Sequence, residues 1–421
     1  MKESILHYVW QQKLFVPSGL QTTDGRAIEI IDVGRYNSDA GPDFFNAKIK
    51  IDNTLWAGNV EIHTLASDWQ KHNHQNDKSY DSVILHVVER VDAEINRSNC
   101  EKIPQLELTI PKNIEENYKQ LLQNQHKIAC EDKISNIPNI LIQAWKSALL
   151  SERLSQKTEH IEDILNKNIQ HWEDAFYVTL ARNFGFGVNS QPFEMLAKSL
   201  PLSILAKHKN NILQIEALLF GQAGFLVENP KDDYQKSLQN EYNFLQKKYD
   251  LQPLQSSQWK MLRLRPVNFP YIRIAQFAAL IYCSTKLFSK ILEHPELNYL
   301  YKLFDIKPSA YWHEHFVFGE TSRKSPKCIG KTSINTIIIN TIVPFLFVYG
   351  KRKNEQTFKD KALLLLENLP SEKNAVIELW QKIGINSKTA FDSQALLQLR
   401  KNYCDNKNCI RCRIGHKALT T

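Results

Sequence analysis

Asp43, Glu61 and His63 are the residues whose types and spacing first suit chemistry. They fall in residues 41–63, GPDFFNAKIKIDNTLWAGNVEIH, which read as a Gly-Pro-Asp turn, an alternating run, a polar break and a second alternating run. Asp43 stands at the mouth of the first run, while Glu61 and His63, two residues apart, project from one face of the second. Two carboxylates and a nitrogen base at one end of a strand pair can hold a divalent cation, Mg²⁺ or Mn²⁺, beside a water. Such a cation acidifies that water and stabilises charge on a pentacovalent phosphate.

Histidine is concentrated next to this pair. His63, His72, His74 and His86 fall close together, with Asp68, Asp77 and Asp81 interspersed. Asp68 and His72 share a face if their segment is helical. With Glu61, His72 and His74 would make a nitrogen-richer site suited to Mn²⁺, Fe²⁺ or Zn²⁺. His86 sits inside the apolar run SVILHVVE and reads as a hydrogen-bonded core histidine.

The tail offers soft ligands. Cys404-x4-Cys409-x2-Cys412-x3-His416 presents three thiols and an imidazole, a donor set for structural Zn²⁺. The Cys-x4-Cys-x2-Cys part is also an iron–sulfur spacing that needs a distant fourth cysteine, for which Cys130 and Cys328 are available. Free thiols are the alternative to both. Arg411 and Arg413 beside these cysteines suit phosphate contact. Arg263, Arg265 and Arg273, interleaved with Phe269 and Tyr271, suit single-stranded nucleic acid, or else salt-bridge a proline-rich junction. His313 and His315 fall in a packed aromatic loop. SPKCIGKT, at residues 325–332, lacks the first glycine of a P-loop, and no GxSxG, HExxH or dinucleotide fingerprint occurs.

The elements that must position these groups follow from periodicity. A short helix is expected over residues 3–13 and a hairpin around Asp24-Gly25. Strands are expected over residues 46–52 and 55–63, reversing at Asn53-Thr54, then a helical turn near 67–76 and strands at 82–89 and 105–110. From residue 113 the spacing turns helical, with single helices expected at 274–292 and, kinked at Pro344, at 332–348. The fold class is therefore α+β. An α/β head over residues 1–112 precedes a large all-α domain over 113–399 and a Cys-rich basic tail over 400–421.

Pro42-Asp43 followed by Glu61-Ile62-His63 resembles the PD-(D/E)XK nuclease superfamily, whose motif is Pro-Asp at one strand and Asp/Glu-x-Lys on the next. The order helix, three strands, helix, strand is similar to that family's core. The resemblance implies a restriction-endonuclease-like head in a metal-dependent phosphodiesterase acting on nucleic acid, DNA in particular. Asp43 and Glu61 would be its Mg²⁺ or Mn²⁺ ligands, with His63 at the lysine position. It also makes Lys48 and Lys50 candidates for a relocated lysine, and Glu3 on the first helix a further ligand. Because His63 departs from the pattern, an inactive nucleic-acid-binding or scaffold module is a second reading. A hydrolase of a small substrate using the histidines is a third. The longer pattern, from GPDF to the Cys-rich tail, also looks like an uncharacterised bacterial family.

Composition sets the outer bounds. The 421 residues are 43% hydrophobic and 23% charged, as in an ordinary folded protein. The net charge is +8, yet residues 1–115 hold 12 Lys+Arg against 17 Asp+Glu. An acidic head joined to a basic remainder suits a metal site beside a polyanion-binding surface; solvated faces also drift to such asymmetry. Seven cysteines with no secretory signal favour metal binding or free thiols over disulfides. No apolar run reaches the ~18 residues of a membrane span, so a soluble, cytoplasmic protein is expected.

Overall fold

A helix and six short strands, all within the first 107 residues, make the scaffold of the candidate site. The structure, a computed structural model, describes residues 2–167, 171–284 and 286–421. Helix α1 (Lys2–Gln11) buries Ile5, Leu6, Tyr8, Val9 and Trp10. Its Trp10 indole donates to the Val33 carbonyl at 3.0 Å, tying the helix to the sheet.

Strands β1 (Ile28–Asp32), β2 (Arg35–Tyr36), β3 (Phe44–Ile51), β4 (Thr54–Leu65), β5 (Val83–Arg90) and β6 (Gln105–Glu107) form one mixed sheet. β3 runs antiparallel to β1, β2 and β4, whereas β4, β5 and β6 are mutually parallel. Parallel neighbours need a crossover. Here it consists of α2 (Asp68–Lys71) and 3₁₀ turns at His74–Asn76 and Lys78–Tyr80. The β3–β4 reversal uses Asp52 in the left-handed region (φ 51°) with Asn53, one residue earlier than the sequence suggests. The Asp24-Gly25 turn closes one bridge, Gln21 to Ala27, without a full hairpin.

β3 carries a bulge between Phe44 and Ala47, with Asn46 at φ 58° and its N–H on the Asn59 side chain at 3.1 Å. A bulge re-aims the strand next to it, which matters because Asp43 immediately precedes β3. Gly58 is required on β4: a Cβ there would lie 2.4 Å from Ile84 Cγ2.

The chain divides into two compact units, residues 1–145 with 399–421, and residues 146–398. The tail thus folds with the head and is not a separate module, and residues 113–145 join them. Helix α3 (Lys112–Gln123) packs on the C-terminal helix (Arg413–Thr420), and Asn117 Nδ2 donates to the Leu419 carbonyl at 2.9 Å.

Among its described residues the second unit is mainly helical, with a small ladder of His315–Val317 and Glu320–Thr321 and one isolated bridge, Pro370 to Thr389. Its core is aromatic, with Phe176, Phe288 and Phe345 in one cluster and Phe220, Tyr271, Trp312 and Phe318 in another. The helix expected over 274–292 is two, Pro270–Cys283 and Leu287–Glu293, because Ser284 is extended and Lys286 left-handed; residue 285 lies outside the described residues. The apolar helix Lys331–Lys353 is longer than its apolar run suggested, long enough to cross a membrane by length and composition. Its most apolar window is 67% buried within the protein, so it serves as core. A π turn over Ile338–Ile342 precedes Pro344. Proline cannot donate to the carbonyl four residues back, and the Asn183 side chain donates to that Asn340 carbonyl at 3.0 Å instead.

Candidate metal centre

Asp43 and Glu61 converge through each other's backbone. The Asp43 N–H donates to Glu61 Oε2 at 3.1 Å, and the Ile62 N–H donates to Asp43 Oδ2 at 2.9 Å. Asn37 holds the approach, donating its N–H to the Asp43 carbonyl at 2.7 Å and its side-chain amide to the Pro42 carbonyl at 3.1 Å.

The other Glu61 oxygen, Oε1, faces histidines: His63 Nε2 at 3.5 Å and His74 Nε2 at 3.4 Å. His63 and Glu61 share a face because they are two apart on β4. His86 pairs with Glu61 across β5 and joins that face. His72 and His74 arrive from the crossover. Ligand atoms of His63, His72 and His74 all lie within 4.8 Å of one another. Donors about 2.1 Å from one ion, at tetrahedral to octahedral angles, stand ~3.0–3.4 Å apart. The Glu61 Oε1 distances to His63 and His74 are close to that frame and are too long for good hydrogen bonds.

The protons point the same way. His63 Nδ1 lies 2.9 Å from His86 Nε2, and His63 Nε2 lies 3.1 Å from His72 Nδ1. With its proton on Nδ1, His63 donates to His86 and turns its Nε2 lone pair toward Glu61. His74 Nε2 is buried there with no hydrogen-bond partner. Tyr80 stacks on the His74 ring at 3.8 Å, and Trp69 packs edge-on against His74 and His86, so the imidazoles are fixed in place.

Burial favours the neutral form of His63, His74 and His86. Burial, then the neighbouring imidazoles, pulls His63 down to about 2. Burial pulls His86 down to about 3 and lowers His74. Burial, then the Asp43 charge, pushes the Glu61 carboxyl well above the ordinary carboxylate range. Neutral imidazoles beside a buried acid are donors that a cation would satisfy.

His7, on α1, is the residue the sequence reading missed. Its Nε2 lies 3.2 Å from Asp43 Oδ2, close enough for an ion pair but misaligned as a hydrogen bond. Burial lowers its pKa, yet the Asp43 contact outweighs this and leaves it raised. Glu3, four residues earlier, adds charge to both His7 and Glu61. The i, i+4 spacing of Glu3 and His7 was the available signal.

The profile of a family described as a protein of unknown function (DUF2851) matches residues 3–375. The chain belongs to the DUF2851 family. No curated protein and no solved structure matches it. The span that this DUF2851 chain shares with the family contains His7, Asp43, Glu61, His63, His72, His74 and His86, whereas Cys404, Cys409 and Cys412 lie beyond it.

Other expected residues of the DUF2851 chain fall differently. Lys48 and Lys50 pair with Ala57 and Leu55 toward the hairpin turn. That places them ~13 and ~20 Å along β4 from Glu61, so neither replaces the missing lysine. Arg273 is 6% exposed, bonded to Gln276, Asn268 and Ser333 and stacked on Phe186, so it holds the helix junction. Arg263 and Arg265 are exposed. Arg411 lies over Tyr36 and donates to its hydroxyl at 3.0 Å, with the Tyr36 ring 6.0 Å from His7. Arg413 packs on Trp145. His416 Nδ1 accepts from or donates to the Tyr8 hydroxyl at 2.7 Å. An apolar cavity of about 340 Å³ in the second unit, beside Phe176, Leu180 and Phe277, has no comparable cluster of donors.

Proposed function

We propose that this protein is a metal-dependent hydrolase of phosphodiester bonds, a nuclease in type, acting on nucleic acid and DNA in particular. The observation that carries the reading is the convergence of the His63, His72 and His74 ring nitrogens, with Glu61 Oε1 facing His63 and His74, beside Asp43 and His7. The element order supports it too. One helix, three antiparallel strands with Asp43 before the second long one and Glu61 on the third, a crossover and a parallel strand resemble the PD-(D/E)XK core.

Glu61, His63, His72 and His74 would hold the cation, a nitrogen-rich set favouring Mn²⁺, Fe²⁺ or Zn²⁺ over Mg²⁺. The cation would supply Lewis-acid stabilisation of the phosphoryl oxygens. His63, neutral and enclosed, cannot do the work of a lysine cation, and that work passes to His7. The Asp43 contact, outweighing burial, favours the protonated form of His7, which would exchange a proton on Nε2 with water or a leaving oxygen. Asp43 orients the imidazole. Arg411, exposed above Tyr36, offers a guanidinium to a substrate phosphate.

A second reading is favoured by the enclosure of the site. Trp69, Tyr80 and four histidines crowd it, which suits a small phosphate ester better than a duplex. Cleavage of labelled single- and double-stranded DNA with Mn²⁺, Zn²⁺ or Mg²⁺, beside a panel of small phosphodiesters, separates the two. Nuclease action lost in Glu61→Gln and His7→Gln supports the proposal. Turnover of small esters alone moves the assignment to the second reading. Tight DNA binding without turnover of anything would mean an inactive binding module.

A further inference from the structure

Three tail cysteines and one distant cysteine meet in the first unit. Cys130 lies within electrostatic reach of Cys409 and Cys412, and Cys404 within reach of Cys130, Cys409 and Cys412. Cys130, Cys409 and Cys412 are buried. Cys328, the other available fourth ligand, belongs to the second unit and leans on the Pro326 carbonyl.

The backbone around the four thiols is built for close approach. Leu399–Cys404 is a π turn, a distortion that recurs at functional sites. Asn408 N–H closes a loop onto the Tyr403 carbonyl at 2.8 Å. Gly415 lets the last helix lie against Cys409: a Cβ there would sit 2.1 Å from the Cys409 carbonyl oxygen. Cys412 is the N-cap residue of that helix. Lys407 and Arg400 bond back to the carbonyls of Leu122 and Lys127, anchoring the loop to the segment that carries Cys130.

The spacing indicates what fits. A single zinc ion with Zn–S bonds of about 2.3 Å needs sulfurs ~3.8 Å apart. Among the described residues, no three of these four Sγ atoms come within 4.8 Å of one another, whereas three head histidines do. Sulfurs that share an enclosure but not one ion match a larger core. The Cys-x4-Cys-x2-Cys run with one remote cysteine is an iron–sulfur arrangement.

We propose that Cys130, Cys404, Cys409 and Cys412 ligate an iron–sulfur cluster that fastens the C-terminal segment to the first unit. His416 is not a ligand. The cluster holds Arg411 against Tyr36 and His416 against Tyr8, so it positions groups next to the metal centre without touching substrate.

The test is anaerobic purification of the full chain, with iron, zinc and acid-labile sulfide measured beside the visible spectrum. The expected result is iron with sulfide and a broad sulfide-to-iron absorption. Both should be lost in Cys130→Ser and Cys404→Ser and kept in Cys100→Ser and Cys328→Ser. If the ligand variants fail to fold, alkylation of the native wild type decides: Cys100 and Cys283, both exposed, react at once, and the four ligands react only after oxidative cluster loss. Stoichiometric zinc without sulfide would overturn the cluster. Free alkylation of Cys130 in the native protein while its iron and sulfide are retained, or full iron retention by Cys130→Ser, would overturn the ligand set.

Discussion

His63 Nδ1 and His86 Nε2 meet at 2.9 Å on one face of the sheet, across the parallel strands β4 and β5. A ligating histidine held through its other nitrogen is oriented in advance, and loss of such a partner costs about 10–100-fold in metal affinity. His86→Phe should therefore weaken Mn²⁺ or Zn²⁺ binding by about that factor in calorimetric titration, with the four ligands intact. Unchanged affinity would remove His86 from the site.

Glu61→Gln separates metal binding from folding. Glutamine resembles the protonated carboxyl that burial favours at this position. The metal-free variant should melt at or above the wild-type temperature at pH 7. Wild type should gain about 2.7 kcal/mol at a metal concentration 100 times Kd, and the variant nothing. A variant that still gains stability with metal would show that Glu61 is not a ligand.

Glu216, in the second unit, is fully buried against the hydroxyls of Tyr234 and Ser309, and burial raises its pKa from 4.5 to about 7. Below the unfolded value both states hold the proton. Between pH 4.5 and 7 the folded state keeps it while the unfolded state releases it. Stability therefore falls as pH rises through that window, by about 3 kcal/mol in all, and is flat above it. Urea unfolding across this range should show the slope in wild type and not in Glu216→Gln. Equal slopes would mean the carboxyl is ionised when folded.

Arg273→Ala should cost about 3 kcal/mol, since it empties a buried charged hydrogen-bond set. Arg263→Ala and Arg265→Ala, both exposed, should stay within about 0.5 kcal/mol. Comparing their unfolding midpoints with their DNA affinities separates a junction residue from a binding one. A fully stable Arg273→Ala would make that arginine a surface group after all.

Gly415→Ala should loosen the C-terminal segment, because the new methyl meets a backbone oxygen that cannot swing aside. Faster hydrogen exchange in residues 400–421, with the sheet unchanged, is the expected signature. Wild-type protection there would mean the helix shifts without loss.

The strand pair 44–65, the acids at its mouth and the apolar strand of His86 were legible because a pleated, half-buried strand repeats every two residues. The tail's soft ligands were legible because they are close in sequence. Turn register moved by one residue at Asp52, since either residue pair can reverse a chain and only sheet pairing selects one. Lys48 and Lys50 have the right type, and only the β3–β4 register shows them too far along the hairpin. His7, His86 and Cys130 join their partners across 36, 23 and roughly 280 residues of chain. No local period encodes such meetings, which follow from helix α1 packing on the sheet and the tail folding back onto the head. Sequence spacing specifies which atoms share a face; tertiary packing sets which faces share a site, because the hydrophobic burial that joins them is non-directional and non-local.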